Sequence, residues 1–400
     1  MPKILWMSPY SLHDISSGAS INCKYLLEAL AAQGYEVWAL SSFIFDMPSG
    51  AQLFTQAQDK LALSDKPIFE LNDNGIHYIY QRCHSTFEGE QSAAEQEVFF
   101  TLLREVLDRF APDLCMAFGT SMLTMTCFAE AKRRGITTIY PVLNGNHGSF
   151  SFPDVDLLLT DSQATADLYF KRDRIRALPI GAFFVPERFV AKKRHPKYVT
   201  MINPSFEKGL AILARLSLAC QSRLPDVRFL VVNSRGNFAE NVQYLHEKGQ
   251  RDVHPLSPQD FVNVDMTPAT TNMKPIYAAT RVLVAPSLWF ESWGRVVSEA
   301  VYNGIPVLAS NSGGLAEAAG GASLNLPVPE HCRNDYLSLP SLEEIEPWVV
   351  ALERLITEDW SAQVSAAQQR LAAANCLARF NAVVQPYLDE RARDHLHFNR

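Results

Sequence analysis

The chain has 400 residues, 47% of them hydrophobic and 20% charged, with a formal net charge of -7 at pH 7. That length exceeds what one hydrophobic core serves and predicts two domains, while the acidic balance argues against a general nucleic-acid binder, whose footprint is basic. The seven cysteines are scattered with no C-x-x-C pair, so neither a zinc site nor a disulfide framework follows. No apolar run approaches the ~18 to 20 residues of a membrane span, and MPKILWMSPY has too short an apolar core for a signal peptide, so a cytoplasmic protein is expected, with a peripheral place at the membrane left open.

Lys3–Met7 (KILWM) reads as a buried strand, 20–33 as a helix closed by Gly34, and 36–40 (EVWAL) as the next strand. Strand, glycine-bearing loop, helix and strand open a doubly wound parallel sheet. On residues alone the loop Ser17-Gly18-Ala19 reads equally well as a plain turn. From 46 to 95 the pattern loosens around one short strand at 77–80. It then tightens into a helix at 95–110, strands at 114–117, 136–142 and 155–160, a helix at 122–134 and another from Ser162. The basic runs at 171–176 and 191–197 read first as a solvated helix end and a charged linker.

Residues 186–196 are charged and bracketed by prolines, as a linker is. We therefore expect an α/β protein with a first domain at 1–186 and a second at 187–380. The second restarts with a strand at 198–203, followed by NPSFEKGLAILARLSLAC and a strand at 227–232. The last part is helical, at Leu342–Thr357, 360–379 and 383–394, with Pro386 expected to kink the final helix.

The densest signal lies at 286–318, PSLWFESWGRVVSEAVYNGIPVLASNSGGLAEA. RVLVAP, just upstream, is a strand-length apolar run, and Val296, Val297, Ala300 and Val301 fall at helical spacing. Gly304 and Pro306 then stop the helix. A strand that turns tightly into a helix presents backbone N–H groups and the positive end of the helix dipole, a place for phosphate. Gly294, without a side chain, lets an anion approach the backbone of Gly294, Arg295 and Val296. Glu291 and Glu299, one on each side of that turn, can accept hydroxyl protons. Acceptors flanking an anion site suit a nucleotide-sugar, with hydroxyls on both sides of its diphosphate.

This block, with its E-x7-E spacing of Glu291 and Glu299, resembles the donor-site signature of glycosyltransferase family 4, retaining enzymes of the GT-B fold. The resemblance implies two Rossmann-like domains facing across a cleft, with a terminal helix (381–400) crossing back to the first. It also implies transfer of a sugar from a nucleoside diphosphate to an acceptor hydroxyl, with no metal and no cofactor beyond the nucleotide-sugar. Lys208 and Gly209 match the family's Lys-Gly pair, which makes Lys208 the cation for the donor phosphates. Glu291 is implied to hold donor-sugar hydroxyls, Glu299 the ribose, and Gly18 the diphosphate from the other domain. Residues 263–266 lie where the family's loop reads the base.

Two departures stand out. Asn203 occupies a position where the family commonly has arginine, leaving Arg295 or Arg235 to supply the charge. The segment PDLCMAFGTSM lacks a histidine found in many relatives, so Gly119, Thr120, Ser121 or His147 takes its place. The alternatives are a GT-B epimerase or hydrolase of nucleotide-sugars, or a catalytically silent nucleotide-sugar-binding subunit. The donor sugar, the base and the acceptor, whether glycan, lipid-linked or small molecule, are not encoded in any pattern seen here.

Overall fold

Ile4, Leu5, Trp6 and Met7 are all fully shielded from water, which requires a strand covered on both faces. In the computed structural model, which describes residues 1–48, 50 and 66–398 and side chains as far as 391, β1 (Lys3–Met7) lies inside a parallel sheet between β2 (Glu36–Ser42) and β5 (Leu114–Met116). Alternate residues serve opposite layers, as the pleat demands. Ile4 and Trp6 pack with Leu27, Leu30 and Phe380, whereas Leu5 and Met7 pack with Phe99, Leu103 and Cys127.

The sheet has the order β3-β4-β2-β1-β5-β6-β7-β8, with β3 (Ile68–Asp73), β4 (Ile76–Gln81), β6 (Thr137–Val142), β7 (Leu157–Thr160) and β8 (Leu178–Pro179). Only β3 runs antiparallel. It reaches β4 through Asn74 and Gly75, both at positive φ (50° and 81°), the conformation a two-residue hairpin turn needs.

A second sheet holds β9 (Tyr198–Ile202), β10 (Arg228–Val232), β11 (Val264–Thr267), β12 (Thr280–Ala285), β13 (Val307–Ser310) and β14 (Ser323–Leu326) in the order β11-β10-β9-β12-β13-β14. All its pairings are parallel. Helices Leu210–Arg223 and Leu342–Thr357 cover one face, bringing Leu213, Leu216, Trp348 and Leu352 onto Val199, Met201, Phe229 and Val231. The second of these helices starts in a capping box, Ser341 with Glu344, which satisfies two otherwise orphaned N–H groups.

The chain divides into two compact units: Met1–Phe184 with Ala373–Arg400, and Val185–Ala372. The first boundary falls two residues before the expected 186, and the second at Ala372 instead of 380. The reason for the latter is local. The expected helix 360–379 is broken at Leu371 and Ala372 into Ser361–Arg370 and Ala373–Phe398, and the second piece carries Cys376, Leu377 and Phe380 into the core of the first unit.

Other expectations also change. Residues 264–267 are not a loop but the edge strand β11, and Asn263 donates its side-chain amide to the Ser217 carbonyl at 2.9 Å. Strands β3, β8 and β14 were not expected. Of the 46–95 stretch expected to vary with acceptor, 49 and 51–65 lie outside the described residues. Among the described residues no helix is long and apolar enough to cross a membrane.

Candidate active site

In a doubly wound sheet, ligands settle beyond the carboxyl ends of the strands where the strand order reverses. In the second unit that point lies between β9 and β12. The loops leaving these two strands are bound to each other by backbone. Gly209 has φ +89°, and a Cβ there would stand 2.0 Å from the Pro286 carbonyl oxygen, so only glycine permits the approach. The Glu207 carbonyl accepts N–H groups from Leu288 (2.9 Å) and Trp289 (3.3 Å).

The loop after β13 joins them. Gly313, at φ +59°, lies so close to Glu291 that a Cβ would be 1.9 Å from its carbonyl oxygen. That oxygen accepts the Gly314 N–H at 2.8 Å, and Ser312 donates its hydroxyl to the Trp289 carbonyl at 2.5 Å. On the other side, the loop after β10 packs Gly236 against the Pro204 carbonyl and carries the exposed Arg235 beside this cluster.

Side chains converge on this backbone frame. Lys208 Nζ stands 2.5 Å from Glu291 Oε1, which also accepts the Ser287 hydroxyl at 2.6 Å. The same ammonium lies 5.0 Å from the centre of the Trp289 ring. Two polar atoms here are buried with no hydrogen-bond partner among the described residues, Asn203 Oδ1 and Trp289 Nε1. Buried polar groups are almost always paired, so this acceptor and donor leave hydrogen-bonding capacity unused within one loop cluster. Asn203 is also held at φ 66°, a left-handed conformation that asparagine tolerates better than most residues.

Gly294, at φ +93°, begins helix Arg295–Tyr302, and no side chain caps that start. A Cβ at Gly294 would collide with Leu315, 2.5 Å away. Glu299 lies one turn into the helix, accepting the Tyr277 hydroxyl at 2.7 Å with Arg295 at 3.9 Å. Burial pushes the Glu299 carboxyl above its ordinary pKa, against the opposing pull of Arg295 and the Tyr277 hydroxyl.

The structure thus joins Lys208 to Glu291 and gives Glu299 separate partners on its own helix and on helix Lys274–Ala279. Arg295, expected to offset the uncharged Asn203, lies beside Glu299. Ser287, Trp289, Ser312 and Tyr277 escaped the sequence reading. Ser287 and Trp289 flank the recognised glutamate in PSLWFE and were open to notice. Tyr277 carried no signal, since it meets Glu299 only through the fold.

The first unit has its own order reversal, between β1 and β5. Ser8 donates its hydroxyl to the Phe118 carbonyl at 2.9 Å, and Gly119, at φ +110°, lies against the Tyr10 ring. The Gly119 N–H reaches the Tyr140 hydroxyl at 3.1 Å, which in turn lies 3.3 Å from His147 Nε2. Burial, with Arg172 nearby, lowers the His147 pKa. The Tyr10 hydroxyl donates to Glu88, whose Oε1 is buried with no hydrogen-bond partner. Ser121 is occupied as the cap of helix Met122–Arg133. Gly18 is the first residue of helix Gly18–Ala32, whose cap is Ser17.

Two sheets of this topology, each with a loop cluster at its order reversal, match solved structures over nearly the whole chain. Sucrose-phosphate synthase from Thermosynechococcus elongatus superposes with TM-score 0.63 at 14% identity, over 97% of this chain and 100% of that one. HepE of Anabaena, solved with UDP and glucose, superposes with TM-score 0.62 at 14% identity, over 96% and 100%. The chain has the GT-B glycosyltransferase fold. Within it, residues 259–324 match the family model described as Glycosyl transferases group 1, a span that includes Tyr277, Glu291, Gly294 and Glu299. A D-inositol 3-phosphate glycosyltransferase of Corynebacterium aurimucosum is 30% identical over 162 residues, 38% of this chain and 32% of the relative. The matched segments span about a third of the length of such curated relatives.

Proposed function

We propose that this GT-B protein moves a sugar from a nucleoside diphosphate to an acceptor hydroxyl, with retention at the anomeric carbon and without a metal, as the resemblance to glycosyltransferase family 4 implies. The observation that carries the proposal is the Lys208–Glu291–Ser287 cluster, set beside the unpartnered Asn203 Oδ1 and Trp289 Nε1 at the order reversal of the second sheet. The structural neighbour HepE, solved with UDP and glucose, supports a nucleotide-sugar as the donor.

In the free protein, Lys208 and Glu291 satisfy each other. A donor separates their tasks: its diphosphate takes the ammonium, and a sugar hydroxyl donates to the carboxylate. The barrier lies in breaking the bond between the anomeric carbon and the phosphate oxygen, so stabilising the departing diphosphate is the main catalytic contribution. Lys208 and the backbone at Gly294, Arg295 and Val296 supply it. The acceptor oxygen bonds to the anomeric carbon, and its proton passes to the leaving diphosphate. Glu299 receives the ribose hydroxyls, Asn203 Oδ1 accepts a further donor hydroxyl, and the Trp289 N–H donates to an oxygen of the donor. Acceptor hydroxyls are assigned to the first unit, where Glu88 Oε1 is the unpaired acceptor and His147 stands near in the Tyr140 network.

The test is turnover of UDP-, GDP- and ADP-sugars by Glu291→Ala and Glu299→Ala proteins whose circular dichroism matches the parent. Both variants are expected to lose transfer and donor hydrolysis. Full turnover in both overturns the reading.

A further inference from the structure

Beside the loop that carries Lys208, the second unit contains an open cavity of about 660 Å³ lined by Phe206, His246, Arg251, His254, Arg333 and Tyr336, among others. That volume is in the range of small-molecule sites. Its floor is fixed by backbone: the His246 N–H bonds to the Leu337 carbonyl at 3.0 Å, and the Leu339 N–H bonds to the His246 carbonyl at 2.9 Å. Arg215 fastens the same floor, reaching Glu247 at 2.5 Å and the Pro340 carbonyl at 2.8 Å.

The one acid among the residues lining the cavity is already committed. Asp335 receives Arg251 at 3.0 Å through Oδ2, faces His246 Nε2 at 3.5 Å through the same oxygen, and accepts the Leu337 N–H at 3.3 Å through Oδ1. Arg333 spends one donor on Asn311 Oδ1 at 3.0 Å and has no ion-pair partner among the described residues. His254 has neither a hydrogen bond nor an ion pair among them. The cavity is therefore cationic, with guanidinium and imidazole groups having unused capacity, and the rings of Phe206 and Tyr336 also line it. Arginine forks match phosphate oxygens, and aromatic faces suit the apolar face of a sugar ring.

We infer that this cavity binds a phosphomonoester of a small ring compound, the chemistry of a sugar phosphate, with Arg333, Arg251 and His254 on the phosphate and Phe206 and Tyr336 on the ring. The cavity borders the loop that carries Lys208, through Phe206, so the Lys208→Met protein is the control that separates it from the donor position.

Thermal stabilisation by glucose 6-phosphate, inorganic phosphate and glucose tests it, in the parent, Arg333→Met, His254→Gln and Lys208→Met proteins. The expected result is stabilisation of the parent by glucose 6-phosphate and not by glucose. The shift should fall at least threefold in Arg333→Met and in His254→Gln, and persist in Lys208→Met. A shift with inorganic phosphate equal to that with the ester overturns the assignment of the ring to Phe206 and Tyr336. Absence of any shift overturns the site, as does a shift that survives Arg333→Met and vanishes in Lys208→Met, which places the ester at the donor loops. Melting of the unliganded variants within a few degrees of the parent shows that each is folded.

Discussion

Replacing Lys208 with methionine separates a structural role from a catalytic one. The substitution keeps a four-atom apolar stem over the Trp289 ring and removes one charge, leaving Glu291 Oε1 with the Ser287 hydroxyl alone. The side chains of the pair are 28% and 12% exposed, so the lost attraction is screened on the lysine side and the stranded carboxylate is only partly shielded. A hydrogen bond to a charged group contributes about 1.5–3 kcal/mol, and exposed pairs much less, so about 1–2 kcal/mol of stability should be lost. For a domain of this size that is a fall of roughly 2–8 °C in Tm. Turnover should fall much further. If Lys208 stabilises the departing diphosphate as an oxyanion-hole donor stabilises its oxyanion, the loss is about 10²–10³-fold in kcat. Release of nucleoside diphosphate, followed in a coupled assay at saturating donor and at a temperature well below both melting points, measures it. A Tm drop of the expected size with kcat within twofold of the parent refutes the reasoning, since the lysine would then be no more than the counter-ion of Glu291.

Three further outcomes follow from the same loops. In Glu299→Gln, the raised carboxyl pKa fixes the sign: the folded parent holds its proton more tightly than the unfolded chain, so the parent loses stability as pH rises through the ordinary carboxyl value of 4.5 toward the raised one. Glutamine does not titrate, so urea titrations should show its advantage over the parent growing across that interval and levelling off above it, while donor binding weakens. Gly209→Ala forces a Cβ against the Pro286 carbonyl at positive φ, and chemical denaturation should report a loss of about 2–4 kcal/mol. Trp289→Phe removes the buried N–H that has no partner in the free protein, so stability should hold or rise, while donor affinity measured by calorimetry falls about 5–10-fold, the equivalent of one hydrogen bond.

Much of the architecture was legible because its strands are central and its helices capped. Lys3–Met7 and Leu342–Thr357 were read with the bounds observed. Edge strand β3, IFELND, has three polar side chains and no unbroken apolar run, yet its Asn74-Gly75 turn was a hairpin signal in plain view. The break at Leu371–Ala372 left no glycine or proline behind, so periodicity carried the reading straight across it. In the site, Glu291, Gly294 and Glu299 were found because they are close in sequence. The contact of Lys208 with Glu291 spans 83 residues and became visible as a contact only in three dimensions. The empty hydrogen-bonding positions of Asn203 and Trp289 depend on burial, which no spacing rule reports.

The first unit is interrupted: Val185–Ala372 is inserted within it, and the first unit resumes at Ala373. During synthesis on a ribosome, everything needed by the inserted half emerges before Phe380 does. The half encoded later can thus finish folding earlier, while its predecessor waits, with Ile180, Phe183 and Leu27 lacking the helix that covers them, until the residues after Ala373 have been made. Removal of the helix Ala373–Phe398 should therefore damage the earlier-made half and spare the inserted one.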